Sequence, residues 1–151
     1  MPDNYYDKLL ISDTSCLIAL TNIGQLDVLK GLRGLVIIPP EVASEYNEPL
    51  PEWIHIVPVT DTAKIKAIRN TLDLGESSAI ALALETENPL LILDDGRARR
   101  FARNLGLPMT GTLGILIAAH KAGILKDIYA VIEDLKKMNF RIPVDIEKHL
   151  N

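Results

Sequence analysis

Short apolar runs alternate with segments of helical periodicity along nearly the whole chain. KLLIS, just before Asp13, is apolar and reads as a buried strand. Asp13, Thr14 and Ser15 then supply helix-capping side chains, and CLIALTNIG continues as a helix that ends near Gly24. Leu26, Leu29 and Leu32 recur at helical spacing in the stretch that follows. LVIIP is a β-branched strand stopped by Pro39 and Pro40, and Pro40 suits the first turn of a helix through EVASEY. IHIVPV alternates, and Pro58, which has no N–H for a ladder, marks it as an edge strand. TAKIKAIRNTL is helical under an Asp61 cap, and Gly75 separates it from ESSAIALALETE, an alanine-rich helix suited to deep packing. After Asn88 and Pro89 the wholly apolar LLIL is a strand, followed by DDGRARRFARNLG, an Arg-rich helix closed by Gly106. A short PMT strand leads through Gly111 into the helix TLGILIAAHKAG. Residues 125–139 form another helix, and PVDIEKHL a last turn or two. Strands alternating with helices place the fold in the α/β class, with a parallel sheet covered on both faces.

The 151 residues suffice for one domain with a real core, so 1–151 is expected to form a single domain. No repeat, low-complexity tract or composition break suggests a linker. Hydrophobic residues at 48% and charged ones at 24% indicate a globular chain rather than a disordered one. Sixteen Lys and Arg against twenty Asp and Glu leave a net charge of −4. That argues against attachment to nucleic acid through bulk positive charge, yet is compatible with a nucleic-acid enzyme whose acidic site is bridged by metal ions. Aromatics at 5% imply an aliphatic core and disfavour the stacking platforms of single-strand binders. The lone Cys16 excludes an internal disulfide or a cysteine-based zinc site, and His55, His120 and His149 form no metal-binding pair. The opening MPDNYYD is polar, no secretory signal is visible, and no apolar run reaches the roughly 20 residues of a membrane span. A cytoplasmic protein with no membrane contact is the expectation.

The acidic residues fall at telling places. Asp13 ends the first strand, and Asp94 and Asp95 end the LLIL strand. Glu45 lies one to two turns into the helix after LVIIP, and Glu76 opens the alanine-rich helix. Open parallel sheets bind ligands outside the carboxyl ends of their strands, where the strand order reverses. If the helices pack around that edge, these carboxylates converge on one cleft. Crowded carboxylates raise one another's pKa or require cations. All-oxygen sites suit Mg²⁺ or Mn²⁺, and metal-assisted phosphodiester hydrolysis uses that combination. Taken singly, each acid also has an ordinary role: Asp13, Asp94 or Asp95 as a helix cap, Glu76 as a macrodipole partner, Glu45 on a solvated helix face. Capping does not account for Glu45 in mid-helix.

The segments LLISDTSCLIAL, IPPEVASEY, LGESSAIALAL, LILDDGRARRFARNLGLP and TGTLGILIAAHKAG occur in this order. Together they resemble PIN-domain proteins, close to a branch related to the VapC-type toxin ribonucleases. The resemblance runs from about Leu9 to the C-terminal helices, and the DD-x-x-AR-x-x-A run followed by T-G-T-x-G-x-L is its most specific part. It implies a three-layer α/β/α sandwich with a mainly parallel central sheet and an endoribonuclease dependent on Mg²⁺ or Mn²⁺. Asp13 matches the family's first acid, Glu45 the acid after the second strand, and Glu76 the third, where those toxins commonly carry Asp. The fourth falls on the Asp94 and Asp95 pair. Asp95 is favoured by alignment, with Asp94 as an additional ligand or orienter. Asp13, Glu76, Asp94 and Asp95 are then the metal ligands, and Ser15 matches a hydroxyl that supports the first acid. The implied reaction is in-line attack of a metal-activated water on an RNA phosphodiester, which needs no nucleophilic side chain. The implied partners are RNA, an antitoxin protein and a second copy in a homodimer. A catalytically weak or inactive scaffold that binds RNA or a protein is the alternative, motivated by the negative charge and by Glu76.

GRARRFARN places Arg97, Arg99, Arg100 and Arg103 on a helix whose Ala98, Phe101, Ala102 and Leu105 form an apolar stripe. Arg97, Arg100 and Arg103 are candidate contacts to RNA phosphate. A solvated face, pairing with the acids, and a dimer or antitoxin contact are competing roles. Cys16 reads as a small buried side chain and His120 as a structural histidine. T-G-T-L-G lacks the lysine of a P-loop, and Thr110 or Thr112 is a candidate to hydrogen-bond a ligand carboxylate. The apolar face of the helix from Leu125 suits either internal packing or a dimer. The first strand ends in D-T-S rather than D-x-D, which disfavours an aspartyl-phosphate phosphatase.

Overall fold

The structure is a computed structural model that describes residues 7–32 and 34–150. Of the polar opening MPDNYYD, the first six residues lie outside the described residues. The strands are Leu9–Ser12 (β1), Leu35–Ile38 (β2), Ile54–Ile56 (β3), Pro89–Ile92 (β4) and Met109–Thr110 (β5). The helices are Thr14–Asn22 (α1), Val28–Gly31 (α2), Pro40–Tyr46 (α3), Thr62–Arg69 (α4), Leu74–Leu84 (α5), Gly96–Asn104 (α6), Thr112–Lys121 (α7) and Ile128–Lys137 (α8). A 3-10 turn, Ile146–His149, follows them.

Aspartates start most of the longer helices. Asp13, Asp61, Asp73, Asp95 and Asp127 each accept a hydrogen bond from the backbone N–H three residues on, satisfying a donor that the first turn leaves without a partner. Pro40 occupies the first turn of α3, where its missing N–H costs nothing.

The sheet runs β3-β2-β1-β4-β5, and every pairing is parallel. Leu10 stands opposite Val36 on one side and Leu90 on the other. Side chains alternate across a strand, so neighbouring residues enter different cores. Leu10, Val36, Ile38, Leu90 and Ile92 pack with Leu17 of α1, Leu29 of α2, Leu116 of α7 and Ile132 of α8. Ile11, Ile37, Leu91 and Leu93 pack with Ile65 of α4, Ile80 of α5 and Ala98 of α6. The result is a three-layer α/β/α sandwich, and burial on both faces is why the strands are apolar throughout.

Some boundaries differ from the sequence pattern. Gly75 does not separate two helices but lies inside α5, which starts one residue earlier under the Asp73 cap. The edge strand β3 stops at Ile56, short of Pro58. α8 buries Ile128, Ile132 and Leu135 against the core, while Tyr129 is 59% exposed. Leu105 falls off the apolar stripe of α6 because it caps the helix, and is 44% exposed. Among the described residues no helix is long and apolar enough to cross a membrane.

The chain builds β2 and β3 to one side of β1 and then places β4 and β5 on the other. The order therefore reverses between β1 and β4, and the carboxyl ends of those two strands open the crevice where such sheets bind ligands.

Candidate active site

Asp13 follows β1 directly and caps α1, accepting the Cys16 backbone N–H at 3.0 Å. It is 2% exposed. Burial, with smaller contributions from the charges of Asp94 and Asp73, pushes its carboxyl up to about 6.

Across the reversal point, Asp94 is held from two further elements. Its Oδ1 accepts the Thr112 backbone N–H at 2.8 Å, and its Oδ2 accepts the Thr112 hydroxyl at 2.6 Å. The Cys16 thiol also donates to Asp94 Oδ2 at 3.2 Å. Burial and the charges of Asp13 and Asp94 raise this thiol well above its usual range, so it stays a protonated S–H donor. The first turn of α1 and the first turn of α7 thus fix Asp94 beside Asp13.

On the opposite side, Asp73 and Glu76 form a reciprocal cap at the start of α5. Asp73 accepts the Glu76 N–H at 2.8 Å, and Glu76 Oε1 accepts the Asp73 N–H at 3.4 Å. Desolvation first, then the charges of Asp73, Asp95 and Asp13, push Glu76 up to about 7. Asp95 is exposed and caps α6 through the Ala98 N–H at 3.0 Å. The electrostatic coupling links Asp13, Asp73, Glu76, Asp94 and Asp95.

Glu45 joins this edge by contact. Its Oε1 accepts the Thr14 hydroxyl at 2.7 Å, and Thr14 follows Asp13. The carboxyl also lies over Gly75: a Cβ there would strike Glu45 Oε1 and come within 2.8 Å of Thr14 Oγ1. Gly75→Ala is expected to turn the exposed Glu45 side chain away from Thr14, because its flexible end yields before backbone does. The better helix propensity of Ala, about 1 kcal/mol, offsets the displaced contact. A crystal structure of the variant, with melting near that of the parent, checks this.

Other candidates are placed differently. Ser15 is exposed, and Asp13 is supported by the Cys16 amide rather than by the Ser15 hydroxyl. Arg97, Arg100 and Arg103 are exposed on α6, and among the described residues none is ion-paired with an acid. Arg99 turns inward instead, its Nη1 donating to the Leu93 carbonyl at 2.6 Å. Asp73 was not among the sequence candidates, although D-x-x-E at Asp73 and Glu76 is a legible capping-box signal. The part played by Cys16 had no such local signal.

The donors are all carboxylate oxygens, which suits a hard divalent cation. Among the described residues no three acidic, histidine or cysteine side chains form a ready-made cage, and several of the carboxylates also serve as helix caps. Mg²⁺ asks for no such cage. It keeps several waters and binds through one or two carboxylates, and neutralising the crowded charge here would favour its binding. A family model described as a PIN domain matches residues 9–150. No curated protein matches the chain.

Proposed function

The chain belongs to the PIN-domain family, a nuclease-type fold, and from that premise we propose that it is a ribonuclease dependent on Mg²⁺ or Mn²⁺. One domain carries the activity. Asp13, Glu76, Asp94 and Asp95 would hold the metal, one or two of them directly and the others through its waters, and Glu45 completes the acidic edge. The observation that carries this reading is the pair Asp13 and Asp94 at the point of strand reversal. One is buried with its carboxyl raised to about 6, and the other is held by two hydrogen bonds from Thr112. When bound, the cation would lower the pKa of a water and offset charge on the phosphate and leaving oxygen.

The residues of the chain supply position. The Cys16 amide orients Asp13, and Thr112 orients Asp94, so neither carboxylate has to reorganise during the reaction. Cys16 is buried and protonated and is no nucleophile, which leaves the attack to water. Arg97, Arg100 and Arg103 project from α6, whose start is Asp95, and are suited to RNA phosphates. The similarity to VapC-type toxins further suggests a toxin paired with an antitoxin and acting as a homodimer.

A second reading, a scaffold that binds RNA or a protein without cutting, draws on one observation: several of the carboxylates serve the fold as helix caps. Incubation with a panel of RNAs separates the two. The nuclease reading expects products only with Mg²⁺ or Mn²⁺, none after chelation and none with Asp13→Asn. Tight, metal-independent RNA binding without products selects the scaffold.

A further inference from the structure

The ladder between β4 and β5 breaks off at the residue before Asp94. The Leu91 N–H reaches the Pro108 carbonyl at 3.0 Å, and the Leu93 N–H reaches the Thr110 carbonyl at 2.9 Å. Rungs in a parallel pair are evenly spaced, so the next one in this register would run from the Thr112 N–H to the Leu93 carbonyl. It is not made. The Thr112 N–H turns instead to Asp94 Oδ1 at 2.8 Å, and the Leu93 carbonyl is taken by Arg99 Nη1 at 2.6 Å.

This is an exchange of donors. Leu93 is fully buried, and a buried carbonyl needs a donor. With Arg99 in place, the Thr112 amide is free to leave the ladder for the carboxylate. Gly111 makes the room. Its backbone, with φ −121° and ψ −177°, suits any residue, so glycine is there for space rather than for conformation. A Cβ at this position would lie 2.7 Å from Asp94 Oδ1, 3.3 Å from Arg99 Nη1 and 3.4 Å from the Leu93 carbonyl oxygen. Among the described residues Arg99 forms no ion pair with a carboxylate. The guanidinium therefore acts on the peptide that leads into Asp94 and leaves the carboxylate oxygens to other partners.

We propose that Arg99 is a positioning residue for Asp94: by taking the Leu93 carbonyl it frees the Thr112 amide to hold Asp94 toward the divalent cation. The assignment rests on the metal-dependent nuclease reading, and deepens it by adding a residue that acts through the backbone. Without Arg99 the Thr112 N–H is drawn back to the Leu93 carbonyl, and Asp94 keeps only the Thr112 hydroxyl and the Cys16 thiol, both on Oδ2.

The test compares the full chain with Arg99→Met, which keeps the apolar stem and removes the donors, and with Arg99→Lys, which returns one kind of donor on a flexible stem. Circular dichroism confirms that both are folded. In Arg99→Met the amide proton of Thr112 is expected to shift upfield in nuclear magnetic resonance spectra, as its bond to a carboxylate is lost. Calorimetric titration is expected to show Mn²⁺ binding weakened about tenfold, and RNA cleavage a kcat about tenfold lower at unchanged KM. Arg99→Lys is expected to recover part of each. Gly111→Ala displaces Asp94 by itself, so adding Arg99→Met to it is expected to slow cleavage by less than the product of the two single effects. Unchanged Mn²⁺ affinity and kcat in Arg99→Met overturn the proposal, even where the Thr112 resonance moves. A raised KM at unchanged kcat places the guanidinium on the substrate and overturns it as well. A parent chain that binds Mn²⁺ but cuts no RNA removes the nuclease reading alone, and the resonance and the Mn²⁺ affinity then decide the role of Arg99. A parent that binds no Mn²⁺ removes the metal reading and the proposal with it.

Discussion

At pH 8 and without divalent cations, Asp13→Asn is expected to melt at a higher temperature than the parent chain, and to cut no RNA when Mg²⁺ or Mn²⁺ is supplied. Burial raises the Asp13 carboxyl from 3.8 to about 6 in the folded protein. The folded state therefore binds the proton more tightly than the unfolded state. Between about pH 4 and pH 6 the folded chain carries more protons at this site, so its stability falls as pH rises through that window and stays lower above it. A shift of about 2 units corresponds to about 3 kcal/mol. Asparagine keeps an oxygen for the Cys16 N–H and cannot ionise, so it removes the penalty without removing the cap. Glu76, raised to about 7, contributes with the same sign over a window reaching to neutral pH, more weakly because it is partly exposed. Saturating Mg²⁺ is expected to act on the parent alone, adding about 2.7 kcal/mol at a hundredfold excess over its dissociation constant. Thermal melts of both proteins from pH 4 to pH 8 check this. A parent-minus-variant difference that stays flat across the window would falsify the electrostatic account of Asp13.

Thr112→Val is expected to cost about 1.5–3 kcal/mol of stability and to slow RNA cleavage about a hundredfold. Thr112 is fully buried, and its hydroxyl donates to Asp94 Oδ2 at 2.6 Å, a short bond to a carboxylate. Valine has nearly the same shape and no donor. The Thr112 N–H to Oδ1 and the Cys16 thiol to Oδ2 remain, so Asp94 loses direction more than it loses place. Thr112→Ser restores the donor and is expected to recover most of the rate while losing one buried methyl. Denaturant unfolding gives the first quantity and initial rates the second. Equal rates for the Val and Ser variants would show that the hydroxyl does not position Asp94.

Much of the frame is written locally. LLIS, LVII and LLIL are apolar because both faces of the sheet are covered, and the intervening periodicity marks the helices. Asp13 and Asp61 read as caps from their positions alone, since capping involves only the next three residues. Gly75 misled because a glycine between helical segments looks like a break. Its actual reason, the close approach of Glu45 and Thr14, comes from two distant elements. Cys16 likewise looked like filler because its acceptor lies 78 positions away in the chain. Arg99 shared a run with exposed arginines, and only the fold turned it toward the Leu93 carbonyl.

By itself, the order of apolar and polar residues determined the strands, the helices, their buried faces and most of their caps. These depend on periods of two and 3.6 residues and on neighbours within a turn. Which acids became neighbours was decided only when β4 paired with β1 instead of β3. That pairing brings the ends of two strands from distant parts of the chain side by side, and with them Asp13 and Asp94. Hydrogen bonding between parallel backbones carries no record of it in the local pattern.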